Sequence, residues 1–206
     1  MLAIAARDRE LFALSRLELV PMSNDDVDTL LELARVNDSE PGCKPNPEEA
    51  FQYYKQAAEL GSPYAQYCVG TCYAQGFGVR RDDLEAFRWF LTSALQKPPG
   101  FSCAQHAVGV CYREGKGAPQ DDGEAVRWFR KAADLGLAVA QYDLANAYRL
   151  GKGTRRDFEA AADWYEKAAQ QGYADAQYNL AVCYIHGLGV AKDYLKAVSW
   201  YCRAAG

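Results

Sequence analysis

The sequence predicts an all-α fold, a right-handed αα-superhelix (solenoid) of stacked helix–turn–helix repeats. Three observations predict it. Trp89, Trp128, Trp164 and Trp200 recur at steps of 39, 36 and 36 residues. The pairs Ala65-Gln66, Ala104-Gln105, Ala140-Gln141 and Ala176-Gln177 keep the same steps, and so do Gly76/Gly78, Gly115/Gly117, Gly151/Gly153 and Gly187/Gly189. A period of 20–50 residues marks an architecture in which no unit buries its apolar face alone, so neighbours stack.

The elements follow in order. Residues 1–24 hold one amphipathic helix, over 3–19, that reads as an N-terminal cap. Residues 25–61 form a worn repeat: Ala50 and Tyr53 keep the places of Ala86 and Trp89, but Asn37 replaces a tyrosine and Glu40 a turn glycine. Asn46-Pro47-Glu48-Glu49 is a helix start, with Asn as N-cap and Pro at the first helical position. Repeats follow over 62–100, 101–136, 137–172 and 173–206, all in one continuous solenoid. In the type unit 137–172, Ala140, Leu144, Ala147 and Tyr148 form one apolar stripe. Ala161, Trp164, Tyr165 and Ala168 form another, both with helical spacing. Asp82, Asp121, Asp157 and Asp193 are the expected N-caps of the second helices, with Glu85 and Glu124 placed to close a capping box. Gly61, Gly136 and Gly172 should end those helices in a left-handed conformation. Gly70 and Gly109 each precede a tyrosine by three, which suggests that the ring of Tyr73 or Tyr112 fills the gap beside the glycine. Two irregularities stand out. Three extra residues fall in the stretch Gln96–Phe101, read as a tolerated loop insertion. The sequence also ends at Gly206, before the helix-ending glycine expected at 208; either more chain follows or another subunit covers the last face.

Composition narrows the function classes. Half the residues are hydrophobic and the net charge is -4, which argues against disorder and against nucleic acid as the main partner. The longest N-terminal apolar run ends before Arg7, too short for a membrane span or a signal-peptide core. Of seven cysteines, Cys72, Cys111 and Cys183 share one repeat position where the third repeat has Ala147. Such a slot wants a small apolar side chain, and equivalent positions of stacked helices lie roughly 8–10 Å apart, beyond disulfide reach. Reduced thiols and a cytoplasmic location fit, although a removed targeting segment would change the compartment.

The run Ala174-Asp175-Ala176-Gln177-Tyr178-Asn179-Leu180-Ala181 continues into Tyr184, Gly187-Leu188-Gly189-Val190, Asp193, Ala197, Trp200-Tyr201 and Ala204-Ala205. It resembles the Sel-one-like repeat (SLR) family, a relative of the tetratricopeptide repeats, and the likeness covers about residues 28–206. The resemblance implies adaptors and scaffolds that assemble protein complexes. The family's cysteine-rich, secreted branch, linked to penicillin binding, places paired cysteines where this chain has Ala133 and Gln141. Those pairs are absent, which argues against that branch and against secretion.

First helices of successive repeats usually line the concave face of such a solenoid. The positions there that packing leaves over give a candidate partner-binding set: Tyr67, Thr71, His106, Arg113, Tyr142, Asn146, Arg149 and Tyr178. Aromatics beside arginines suit an extended peptide, especially one with acidic groups. The tyrosines belong to the family pattern and have a packing role open to them; the arginines do not, although a solvated helix face would also explain them. No catalytic or metal constellation emerges, and no cofactor is expected. His106 and His186 are 80 residues apart, and Cys68/Cys72 is not a C-x-x-C motif. The Gly-Lys-Gly turns lack the rest of a phosphate loop. The expected function is a non-catalytic scaffold that binds a protein or peptide. The alternatives are a self-assembling module or a piece of a larger protein, and, on family analogy alone, a penicillin-binding-type enzyme.

Overall fold

A computed structural model describes residues 24–39, 46–96 and 100–205. Among them are ten helices and no strand: α1 (Asn24–Ser39), α2 (Pro47–Glu59), α3 (Pro63–Gln75), α4 (Asp83–Ala94), α5 (Ser102–Glu114), α6 (Asp122–Asp134), α7 (Ala138–Leu150), α8 (Phe158–Gln170), α9 (Ala174–His186) and α10 (Tyr194–Ala205). Each helix packs mainly on the ones before and after it. The expected cap helix over 3–19, the Pro98-Pro99 pair and Gly206 lie outside the described residues.

The predicted caps form. The carboxylates of Asp82, Asp121, Asp157 and Asp193 accept from backbone N–H groups in the first turn of α4, α6, α8 and α10. The reciprocal half of the capping box does not form. The N–H groups of Asp82 and Asp121 donate to the carbonyls of Tyr73 and Tyr112 in the preceding helix. That leaves Glu85 and Glu124 to pair with Arg88 and Arg127 instead. Gly61, Gly136 and Gly172 have φ of 94°, 87° and 86°, the left-handed ends expected.

The core runs across repeat boundaries. One cluster joins α4 to α5 through Phe90, Ala94, Ala104 and Val108, and takes in Trp128 of the next repeat. The others join α2 to α3, α6 to α7 and α8 to α9. Trp89, Trp164 and Trp200 pack in the same way, each against the core of the repeat before its own. The ring beside Gly70 is Phe90, not Tyr73: a Cβ at Gly70 would lie 2.6 Å from that ring, and one at Gly109 the same distance from Phe129. Tyr73 turns back onto Phe51 and Tyr112 onto Phe87, edge to face at 5.4 Å. The small position serves a second helix that crosses it, so three-residue spacing named the wrong ring.

Two contacts set the distance between repeats. The buried glutamine of each Ala-Gln pair donates from Nε2 to the last turn of the preceding second helix: Gln66 to Ala58 at 3.2 Å, Gln141 to Ala133 at 3.2 Å, Gln177 to Ala169 at 3.1 Å. Gln105 reaches Ala94 at 3.5 Å across the longer connection, so the three extra residues leave this bond in place. Second, the later turn glycine of each repeat lies on the first turn of the preceding second helix. A Cβ at Gly117, Gly153 or Gly189 would meet the carbonyl of Asp83, Asp122 or Phe158 at 2.1, 2.0 and 2.0 Å.

Gly153→Ala and Gly172→Ala separate these demands. Both positions have positive φ, but Gly172 has nothing within 4 Å of a Cβ. Gly172→Ala should cost about 1–2 kcal/mol from the backbone alone. Gly153→Ala should cost about 1–3 kcal/mol more from the clash. Urea unfolding of the two variants checks this, and equal losses would show that the turn does not set the repeat distance.

Candidate functional site

The stacking distance leaves clefts between successive first helices. One cleft of about 360 Å³ lies between α3 and α5 and is lined by Tyr67, Thr71, Ala74, Phe90, His106 and Val110, among others. A second, of about 390 Å³, lies one repeat further on between α5 and α7. Its lining includes Arg113, Phe129, Tyr142, Asn146, Arg149 and Leu150. Seven of the eight candidate residues therefore line two grooves in matching register. Tyr178 stands apart on α9, 55% exposed.

The ladder of rings is packed from behind. Tyr67 meets Phe90, His106 meets Phe129, Tyr142 meets Tyr165 and Tyr178 meets Tyr201, at centroid distances of 5.3–5.9 Å. Tyr67 also touches Phe101, and Tyr142 touches Tyr173, so the residue just before each of α5 and α9 props the ladder from the next repeat. Burial pushes the Tyr67 hydroxyl above its ordinary pKa, which keeps it a neutral donor.

The arginines are held, not solvated. Arg113 Nη1 donates to Asp143 Oδ1 at 3.0 Å, its Nη2 lies 3.5 Å from Glu114, and its guanidinium sits 5.3 Å from the centre of the Phe129 ring. His106 Nε2 lies 2.7 Å from the other oxygen of Asp143. The carboxylate can only accept, so Nε2 carries the proton. Asp143 thus ties α7 to two residues of α5. Sequence reasoning missed it because its register mates are Cys68, Ala107 and Asn179, and nothing in the period singles it out.

Arg149 is one repeat after Arg113 and behaves differently. Its Nε donates to the Tyr165 hydroxyl at 3.0 Å and its Nη2 to Asn146 Oδ1 at 3.3 Å. Tyr165 in turn donates to Asn146 Oδ1 at 2.6 Å. Burial drives the Tyr165 hydroxyl up to about 12, so it stays protonated at neutral pH. In the first groove the charges close on themselves: Arg81 holds Asp83, and Lys116 holds Glu114, below the usual carboxylate range.

The cysteines fit their small slots. Cys72, Cys111 and Cys183 are buried and form no disulfide, and burial pushes the Cys111 thiol up to about 11. Among the described residues no group of His, Cys, Asp and Glu could hold a metal ion, and no helix is long and apolar enough to cross a membrane.

The profile of the Sel1 repeat matches this sequence over 30–62, 63–98, 104–137, 138–173 and 174–205. The chain belongs to the Sel1 repeat family. Its repeats superimpose on the crystal structure of a Sel1 repeat protein from Oxalobacter formigenes with a TM-score of 0.80 and 34% identity, over 87% of this chain and 51% of that one. A protective antigen of uropathogenic Escherichia coli strains, itself an SLR fold, matches with a TM-score of 0.67 and 29% identity, over 87% of this chain and 45% of that one. The chain thus spans about half the length of these two solved relatives. A 49-residue stretch is 41% identical to chitin synthase regulatory factor 2 of Schizosaccharomyces pombe, covering 24% of this chain and 10% of that protein. The expected all-α superhelix is the fold of this family, and Sel1 repeats are generally protein–protein interaction modules.

Asp143→Asn, which installs the residue found at the same register in the next repeat, removes the charge that Arg113 and His106 share. It should lower the unfolding free energy by about 1–2 kcal/mol. An unchanged thermal midpoint would show that the bridge carries no stability.

Proposed function

We propose that this Sel1 repeat chain is a non-catalytic scaffold that holds a protein or peptide partner along the concave face lined by its first helices. The observation that carries this reading is the pair of grooves, about 360 and 390 Å³, repeated in register one unit apart. Evenly spaced clefts with aromatic walls and fixed polar groups suit an extended chain that crosses successive repeats. The described cysteines form no disulfide, which fits a reducing compartment, and we propose the cytoplasm on that ground.

Two changes test the face without foreign residues. Ala74→Arg installs what the next repeat carries as Arg113, and Leu150→Glu installs the counterpart of Glu114, so the fold accommodates both side chains. The double variant should lose its captured partners while keeping its helicity. Arg127→Glu, on an exposed position of α6, should keep them. The reverse pattern in affinity capture with mass spectrometry would remove the reading.

A second reading has its own observation. Leu195, Val198 and Tyr194 on α10 are 86%, 60% and 66% exposed, whereas Ala162, the register mate of Val198, is 2% exposed beneath the following repeat. A second copy packed on this face would bury the same stripe. Light scattering should then show mass rising with concentration, and Val198→Glu should abolish the rise; a constant monomer mass would exclude self-assembly.

A further inference from the structure

We infer that the second groove anchors an acidic side chain of the partner, an Asp or Glu next to an apolar residue, through Arg149 and Asn146. The inference rests on the reading of the first-helix face as a docking surface, and names the chemistry that face selects.

The argument begins with partners. An arginine offers five N–H donors. Among the described residues Arg149 uses two, both on neutral acceptors, the Tyr165 hydroxyl and Asn146 Oδ1. No carboxylate pairs with it, although every other charged residue of the two grooves has an opposite charge within 4.0 Å. Asn146 is oriented by the same contacts. Its Oδ1 takes hydrogen bonds from Tyr165 and Arg149, which leaves the Nδ2 hydrogens without a partner among the described residues. Guanidinium and amide donors side by side, both fixed by a buried hydroxyl, form a preorganised site for a carboxylate.

Charge points the same way. The second groove carries Arg113, Arg149 and Lys152 against Asp122 and Asp143. Lys152 lies 3.4 Å from Asp122, and Asp143 is met by both Arg113 and His106. The surplus is one positive charge, located at Arg149, in a chain whose net charge is -4. The first groove has no such surplus: Arg81 and Lys116 are matched by Asp83 and Glu114. One surplus charge balances a carboxylate and falls short of a phosphate dianion. Beside Arg149, Leu150 is 59% exposed where its register mates are Gln75, Glu114 and His186, so the neighbouring position of the ligand meets an apolar side chain.

The test uses the full chain and random heptapeptides blocked at both ends, so that every carboxylate is a side chain. They are selected against the wild type, Arg149→Gln and Asn146→Asp. Asn146→Asp keeps the acceptor that Tyr165 and Arg149 use and gives Arg149 an internal partner, as Asp143 does for Arg113. Peptides selected by the wild type should share an Asp or Glu beside an apolar residue. Their affinity should fall about ten- to a hundredfold in both variants. Loss in Asn146→Asp at an unchanged melting temperature separates ligand binding from a structural role. Selected peptides without the acid, indifferent to both variants but lost in Leu150→Glu, overturn the anchor and leave the docking face standing. No enrichment, or peptides indifferent to all three variants, overturns both.

Discussion

Everything in this molecule depends on how closely one helical pair can approach the next. The turn after each first helix presses on the opening turn of the preceding second helix, and only a glycine fits: a Cβ at Gly153 would sit 2.0 Å from a backbone carbonyl. On the other side of the same junction a buried glutamine bonds the closing turn of that second helix. A given second helix is thus held at both ends by the repeat that follows it. Its rings can then fill the boundary, which is why the apolar clusters join one repeat to the next. Since the glutamine and the glycine recur, the spacing recurs, and with it the clefts on the first-helix side.

This division decides what the period can and cannot encode. Contacts that every junction needs appear at the same place in every repeat, so the helices, their aspartate caps and their glycine ends were legible in the sequence. The capping box was misread because its motif is local while the competing acceptor is not: the carbonyl of Tyr73 or Tyr112 already takes the N–H that the glutamate would have reached. The ring beside Gly70 was misread for a similar reason, since Phe90 arrives from twenty residues away along another helix.

The candidate face was legible only in part. Helical spacing placed seven of its eight residues along two grooves, because those positions are what packing leaves over. It could not show which of them were already engaged. Arg113 and Arg149 look equivalent in the sequence, and Asp143 distinguishes them by crossing from α7 to α5. A contact made once, between different register positions, leaves no trace in a repeat.

The difference between the two arginines has a further cause in the ring behind them. Where the first-helix position is Gly109, the second helix presents Phe129; where it is Ala145, it presents Tyr165. A buried tyrosine brings a hydroxyl that must be satisfied. Asn146 and Arg149 satisfy it, and that duty holds the guanidinium beside the amide with its remaining donors unspent. Phe129 makes no such demand. Arg113 lies over its face instead and reaches Asp143. The oxygen atom on this core ring therefore gives the arginine above it a neutral partner, in a repeat whose neighbour offers Asn179 where Asp143 serves Arg113. In this solenoid the chemistry of the groove floor is set jointly by the core ring behind it and by the side chain that crosses from the next repeat.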